Sequence, residues 1–252
     1  MIGTNRFVFV HQPKTGGTFV TSVLWKLQSV LETEELKGEG FLFFRPKVKH
    51  GTCREIPGSH RDRPILGIVR NPYDRYVSQY EFKWWQRTEY LRYFRRVPGF
   101  ESRFPSYPDI TFSEYLELVN EVFSESRRFD WNSDEGFGHQ TAQFLDFYSG
   151  RPKRAYQMLV RVPGSFQRAR ASLFDVHFLR TQGLNEGLYE FLVSKGCPPE
   201  TVEFVLSLGR ILPDGSQRTQ DMGWEGYYNE EEKARVRWKE RFLFELFPEF
   251  DV

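Results

Sequence analysis

The chain has 252 residues, and its 35 Lys and Arg against 34 Asp and Glu give a formal net charge of +1. This length suits one large α/β domain or two small ones. The 39% hydrophobic and 17% aromatic content is enough for a packed core, which excludes a disordered, collagen-like or coiled-coil protein. The balanced charge argues against a dedicated binder of duplex DNA, so any anionic ligand must be held by a local site.

Strand and helix signals alternate along the first third of the chain. The apolar run Phe7–Val10 is typical of a strand buried on both faces of a parallel sheet. The elements predicted in this part are strands at 7–10, 41–48 and 64–69, and helices at 19–31 and 73–86. Their order predicts an α/β fold with a mostly parallel central sheet flanked by helices.

The rest of the chain is richer in aromatic and charged residues. We interpret residues 84–137 as a helical, aromatic insertion over the ligand edge of the sheet, within a single domain of residues 1–252. Residues 209–226 form a Gly-containing polar loop that could cover a nucleotide. The remaining predicted elements are helices at 112–123, 138–148, 184–195, 200–208 and 230–246, and a strand at 176–180.

The targeting signals and the cysteine content of the sequence bear on the cellular compartment. No apolar run approaches the about 18–20 residues of a membrane-spanning helix, and residues 1–6 lack the apolar region of a signal peptide. Two cysteines, Cys53 and Cys197, are too few for a disulfide framework or a structural zinc site. We therefore expect a cytoplasmic protein.

The first candidate site is the loop between the first strand and the first helix, which reads His-Gln-Pro-Lys-Thr-Gly-Gly-Thr over residues 11–18. Such a loop directs backbone N–H groups and a helix N-terminus at one point, which suits a phosphate. Two glycines allow close approach, two threonines add hydroxyl donors and Lys14 adds a charge. Lys14 precedes both glycines, unlike the Lys of the Walker-type loop. The alternative is an ordinary turn whose glycines only cap the helix.

The second candidate site begins at Arg70, directly after the strand at 64–69. Open α/β sheets bind ligands at this end of their strands, and Ser78, two helical turns on, could share one phosphate with the guanidinium. Two anion sites at neighbouring strand ends predict a ligand with two separated phosphoryl-type groups. The alternative, an Arg–Asp pair that pins the helix, suits Arg75 or Asp74 better than Arg70.

Together the two motifs resemble those of the sulfotransferases that use 3′-phosphoadenosine-5′-phosphosulfate (PAPS). Residues 11–18 resemble their 5′-phosphosulfate loop, and Arg70-x-Pro72-x-x-Arg75-x-x-Ser78 resembles their 3′-phosphate motif. The form Lys-Thr-Gly-Gly-Thr is similar to the carbohydrate-acting, Golgi-type branch and its bacterial relatives. The resemblance implies a three-layer fold like that of P-loop NTPases, PAPS as co-substrate, 3′-phosphoadenosine-5′-phosphate (PAP) as product, and no metal.

The resemblance also implies roles for individual residues. Lys14 would neutralise the oxygen that bridges phosphate and sulfate, while the loop amides and Arg70 would hold the two ends of the nucleotide. Arg218, in the loop at 209–226, could reach the 3′-phosphate, and Trp224 could stack on adenine. The alternatives for these two are a solvated charge and a core aromatic. The expected nucleotide-binding residues are Lys14, Thr15, Gly16, Gly17, Thr18, Arg70, Ser78 and Arg218.

An acceptor hydroxyl must lose its proton, so a general base is expected. His50 is placed like the histidine that often serves as base in this branch, and its ordinary pKa of about 6.5 suits the task. His11 is expected to brace the loop, and His177 to be structural within its strand. The alternatives for His50 are a purely structural role, with a base chosen from His60, His139 and Glu55.

The acceptor is expected to be a hydroxyl group on a carbohydrate or glycolipid, with no nucleic acid as partner. Two other functions are open: a catalytically inactive nucleotide-fold module that binds glycan or RNA through the basic, aromatic stretch at 83–103, and a nucleotide-dependent kinase. A kinase would need Mg²⁺ and a differently placed lysine.

Overall fold

The structure is a computed structural model that describes residues 1–33, 49–122, 135–209, 211 and 223–251. Four strands are present in this part of the chain: β1 (Ile2–Gly3), β2 (Val8–Phe9), β3 (Ile65–Val69) and β4 (Val176–Arg180). The helices are α1 (Gly17–Thr33), α2 (Pro72–Glu81), α3 (Thr88–Phe94), α4 (Phe100–Arg103), α5 (Phe112–Val122), α6 (His139–Tyr148), α7 (Pro152–Arg161), α8 (Phe166–Arg170), α9 (Leu184–Ser194), α10 (Pro199–Val202), α11 (Phe204–Ser207), α12 (Glu230–Lys239) and α13 (Arg241–Leu246). None of these helices is both long and apolar enough to cross a membrane.

The strands form one mostly parallel sheet in the order β1-β2-β3-β4. Val8 of β2 is in register with Ile65 of β3, and Ile65 is in register with Val176 of β4. Only β1 runs antiparallel to its neighbour. The predicted α/β class with a mostly parallel sheet is therefore confirmed, whereas the strand predicted at 41–48 lies outside the described residues.

The chain divides into two compact units, which we call the sheet unit and the helical unit. The sheet unit comprises Met1–Arg70 and Phe174–Asp214, and the helical unit comprises Asn71–Leu173 and Gly215–Val252. The chain passes from the first to the second directly after Arg70. As a result, the two halves of the second sequence motif fall in different units, Arg70 in the sheet unit and Ser78 in the helical unit.

The core of the sheet unit explains why its strands read as continuous apolar runs. Phe7, Phe9 and Val10 are fully buried, as a strand covered on both faces requires. The helices α1 and α9 bury their apolar faces in the same cluster, which includes Phe19, Val20, Val23, Leu24, Leu27, Leu66, Ile68, Leu184, Leu188, Phe191 and Leu192.

Two of the helices predicted in the helical unit differ from those observed, and α7 and α8 were not predicted. The helix predicted at 73–86 ends at Glu81, and Lys83 then takes a left-handed backbone conformation with φ of 50°. The helix predicted at 230–246 is two helices, α12 and α13, which meet at Glu240. The predicted capping box is confirmed, because the Asn229 side chain accepts from the N–H of Glu232, and the Glu232 carboxylate accepts from the N–H of Asn229.

Glu240 is the centre of a buried polar network in the helical unit. Its carboxylate is fully buried and accepts from the N–H and the hydroxyl of Thr141, both at 2.7 Å, and from the N–H of Gln140 at 3.1 Å. The Tyr76 hydroxyl is a fourth donor. Burial raises the pKa of Glu240, and these four hydrogen bonds act in the opposite direction. The carboxylate thereby satisfies two amides in the first turn of α6 that have no partner within the helix.

Candidate active site

The loop after β2 is short and tightly held. The Thr15 hydroxyl donates to the carbonyl of Gln12 at 3.0 Å, and α1 begins at Gly17. Lys14 and Gly16 both have left-handed backbone conformations, with φ of 65° and 94°. Left-handed residues next to a helix start are typical of the backbone concavities that bind anions. The Thr15 hydroxyl is therefore used within the loop.

The two glycines of the loop are required for different reasons, Gly16 by its left-handed backbone and Gly17 by close packing. A Cβ on Gly16 would lie 2.9 Å from Cδ2 of Leu184, and a Cβ on Gly17 would lie 2.1 Å from Cδ2 of His11. The His11 ring therefore occupies the space beside the first residue of α1, and it also stacks on Phe9 at 5.7 Å between ring centres. The prediction that His11 braces the loop is confirmed.

Lys14 and Arg70 meet at the ends of two adjacent parallel strands. Nη1 of Arg70 donates to the carbonyl of Lys14 at 3.3 Å. Burial, and secondarily the charge of Arg70, lower the pKa of Lys14 to about 8. Two neighbouring cations repel each other, and an anion bound to either of them relieves the repulsion. The arrangement places two basic residues at adjacent strand ends, which suits an anionic ligand.

Thr181 is a third strand-end residue at this site, and sequence analysis did not single it out. Its hydroxyl lies 3.2 Å from the carbonyl oxygen of Thr15 and 3.1 Å from that of Val69. It therefore ties the loop to the end of β3. The signal that could have found it is its position, since Thr181 directly follows β4 as Arg70 directly follows β3.

His50 has the protonation pattern of a general base. Its Nδ1 lies 2.9 Å from the carbonyl oxygen of His11, and a carbonyl only accepts, so Nδ1 carries the proton and Nε2 keeps its lone pair. Burial lowers the pKa of His50, so the ring is neutral at pH 7. The two imidazole rings meet edge to face with 4.8 Å between their centres. His50 is thereby linked through His11 to the loop.

The other candidate bases are less suitable. The Glu55 carboxylate accepts from the N–H of Thr52 at 2.6 Å, and that hydrogen bond lowers its pKa. His60 hydrogen-bonds with Ser59 in a short turn. His139 belongs to the helical unit and is wholly enclosed, where burial lowers its pKa to about 3. His177 lies within β4, as predicted.

The remaining predicted residues lie in the helical unit or outside the described part of the chain. Ser78 is half-buried on α2, and its pairing with Arg70 on one phosphate stays a prediction. Arg75 is buried and donates to the Gln143 side chain. Trp224 stacks on Tyr73 at 4.8 Å, which favours the core-aromatic interpretation. Arg218 lies outside the described residues.

Among the described residues, no group of three or more His, Cys, Asp or Glu is arranged to hold a metal ion. A paired-cation site at the strand ends of an α/β sheet is typical of proteins that bind phosphorylated ligands. The chain matches the model of the sulfotransferase family over residues 1–144, which is more than half of its 252 residues. It belongs to the sulfotransferase family. No curated protein matches the chain.

The matched region contains both sequence motifs and ends at Phe144, within α6. The loop at 11–18, His50 and Arg70 therefore all fall inside the part of the chain that defines the family. β4 and Thr181 lie beyond it. Membership supports sulfuryl transfer to a hydroxyl-bearing acceptor as the general activity.

The burial of His11 and His139 predicts that acid lowers the stability of the folded protein. Burial lowers the pKa of His11 to about 3, as it does for His139. Between pH 6.5 and 3 the unfolded chain binds protons at these sites and the folded chain does not, so stability falls as the pH falls through this window. We expect a loss of about 1.4 kcal/mol per pH unit for each histidine, measured by urea unfolding. In His139→Gln the slope should decrease by one histidine's share; an unchanged slope would show that His139 is not buried neutral.

Proposed function

We propose that the protein transfers the sulfuryl group of PAPS to a hydroxyl group on a carbohydrate or glycolipid. The observation that carries this proposal is the Lys14–Arg70 pair at the ends of β2 and β3. A donor with a phosphosulfate at one end and a 3′-phosphate at the other matches two cations on adjacent strands. In this proposal residues 1–252 act as one sulfotransferase domain, with 84–137 facing the acceptor and 209–226 covering the nucleotide.

At the donor, PAPS supplies the sulfuryl group, and the protein positions it. The backbone amides of Thr15, Gly16, Gly17 and Thr18 hold the 5′-phosphosulfate at the start of α1. The Lys14 ammonium neutralises charge that develops on the oxygen bridging phosphorus and sulfur as the sulfur–oxygen bond breaks. Because Lys14 and the amides supply positive charge, the step needs no metal ion. Arg70 binds the 3′-phosphate, helped by Ser78 and Arg218.

At the acceptor, His50 accepts the hydroxyl proton on Nε2 as the new sulfur–oxygen bond forms. The products are a sulfate ester, PAP and a protonated His50, which returns its proton to water. The hydrogen bond from Nδ1 to the His11 carbonyl keeps Nε2 as the acceptor atom and stabilises the imidazolium.

We expect kcat/KM to follow a bell-shaped pH profile. Its acidic limb reports His50 and has an apparent pKa below about 6.5, since burial lowers the pKa of that ring. Its alkaline limb begins near pH 8, where Lys14 loses its proton in the free enzyme. In Lys14→Arg the residual activity should lose the alkaline limb, because arginine stays charged. An alkaline limb that persists unchanged in Lys14→Arg would assign it to another group.

The proposed reaction is tested by incubating the protein with PAPS and a panel of hydroxyl-bearing acceptors, and reading the mass of each product. An acceptor heavier by one sulfuryl group is the expected result, and carbohydrates and glycolipids are expected to lead the panel. Nucleotide binding without transfer to any acceptor would favour an inactive binding module. Turnover of ATP with Mg²⁺ and none of PAPS would favour a kinase.

A further inference from the structure

The helices α7 and α8 carry a cluster of basic residues that no acidic residue in the same stretch of sequence balances. Residues 147–174 include no Asp or Glu, although the whole chain is almost neutral. All the cations of this stretch are exposed. We call residues 151–170 the basic hairpin; its cations are Arg151, Lys153, Arg154, Arg161, Arg168 and Arg170.

The basic hairpin is a rigid scaffold with one buried side. On α7, Ala155, Tyr156 and Leu159 are buried, which directs Lys153, Arg154 and Arg161 on the opposite side of the helix to solvent. The Tyr156 hydroxyl donates to the carbonyl of Phe137 at 2.7 Å. Because these charges are held on a folded helix, they can bind a partner without a large loss of backbone entropy.

The hairpin cations are not used for internal ion pairs. Within the ranges that the structure describes, none of them forms a salt bridge with a carboxylate. By contrast Arg103, Arg235 and Arg237 of the same unit each pair with at least one Glu or Asp. Unpaired, clustered cations on a fixed surface create a positive potential that attracts an anionic partner.

Apolar side chains lie at the turn between the two helices. Val160 and Val162 are each 40% exposed, and the exposed residues Pro163 and Gly164 complete the turn, with Gly164 in a left-handed conformation at φ of 70°. The Ser165 hydroxyl closes it by donating to the carbonyl of Met158 at 3.0 Å. The turn therefore presents two partly exposed valines next to the cations of the hairpin.

We propose that the basic hairpin docks the protein on an anionic lipid surface. Arginine forks bind headgroup phosphates, while the two valines enter the boundary between headgroups and acyl chains. Soluble anionic polysaccharides and nucleic acids would use the cations but gain nothing from the valines, so a lipid surface fits both features. The inference does not depend on sulfuryl transfer. If both hold, docking brings the enzyme to membrane-borne acceptors such as glycolipids.

The test is co-sedimentation of the full chain with vesicles at low salt. One set contains phosphatidylcholine alone, and the other contains equal amounts of phosphatidylcholine and phosphatidylserine. We expect binding to the second set only. Each basic residue near an anionic surface strengthens binding about fivefold, so Arg154→Glu with Arg161→Glu should weaken it at least about thirtyfold. Val160→Thr with Val162→Thr should weaken it about threefold.

The matched control is Arg95→Glu with Arg96→Glu, which makes the same charge change at exposed positions after α3. Binding of this control should stay within about threefold of the unchanged protein, and thermal unfolding of each variant checks its fold. Three results would overturn the proposal: no binding to the anionic vesicles, equal weakening by the control, or binding that the valine substitutions do not change. The last result, together with tight binding of a soluble sulfated polysaccharide, would assign the surface to polysaccharides. None of these results bears on turnover, so they are separable from failure of the proposed function.

Discussion

Substitution of Lys14 by Met is expected to lower kcat for sulfuryl transfer by a factor of about 10² to 10³. Lys14 lies in the loop between β2 and α1, where its carbonyl accepts a hydrogen bond from Arg70. The pKa of Lys14 is lowered to about 8, so its ammonium group still carries its charge at pH 7. Removing a group that stabilises developing charge affects the transition state more than the bound donor. The loss should therefore appear in kcat and in kcat/KM together, with a small change in KM.

The matched control for this prediction is Lys26→Met on α1. Lys26 is exposed, with its ammonium group 4.3 Å from the centre of the Phe204 ring. The substitution is the same, but Lys26 is not part of the loop at 11–18, so kcat should change less than about twofold. A Lys14→Met enzyme that retained kcat within a factor of two would remove Lys14 from the chemistry.

Substitution of Glu240 by Ala is expected to cost about 3–5 kcal/mol of unfolding free energy. The substitution leaves three buried donors of Gln140 and Thr141 without their acceptor. It also removes one of the two acceptors of the Tyr76 hydroxyl, which donates to Oδ1 of Asn120 as well. Two of those three donors are amides in the first turn of α6, which have no partner within the helix, so the substitution also weakens the start of α6. Urea unfolding, followed by circular dichroism, measures the effect.

Glu245→Ala serves as the comparison, because Glu245 is exposed on α13, five residues further along. It should change the unfolding free energy by less than about 0.5 kcal/mol. Similar small losses in both variants would mean that Glu240 is solvated in solution and that the network around it does not stabilise the fold.

The sheet was predictable from sequence where burial on both faces leaves a continuous apolar run. This holds for the strands at Val8–Phe9 and Ile65–Val69. β1 was not predicted, because a pairing of two residues is too short to show a period. The helix break at Glu240 was not predicted either. No Gly or Pro marks it, and the cause is a buried carboxylate bound to residues about one hundred positions away.

The sequence predicted those residues of the candidate site that directly follow a strand. Lys14 and Arg70 each follow a strand, and parallel strands bring such residues to one edge of the sheet. The sequence could not show that the His11 ring fills the space beside Gly17, or that the His11 carbonyl sets the protonated atom of His50. Both depend on contacts between distant parts of the chain, which no local pattern encodes.

The most direct test of the central claim is calorimetric binding of PAP in comparison with 5′-AMP, which lacks the 3′-phosphate. If Lys14 and Arg70 hold opposite ends of one nucleotide, PAP should bind about tenfold to a hundredfold more tightly, because a charged hydrogen bond contributes about 1.5–3 kcal/mol. Arg70→Gln should bind the two ligands equally, with 5′-AMP affinity unchanged. Equal affinity for PAP and 5′-AMP in the unaltered protein would contradict the account.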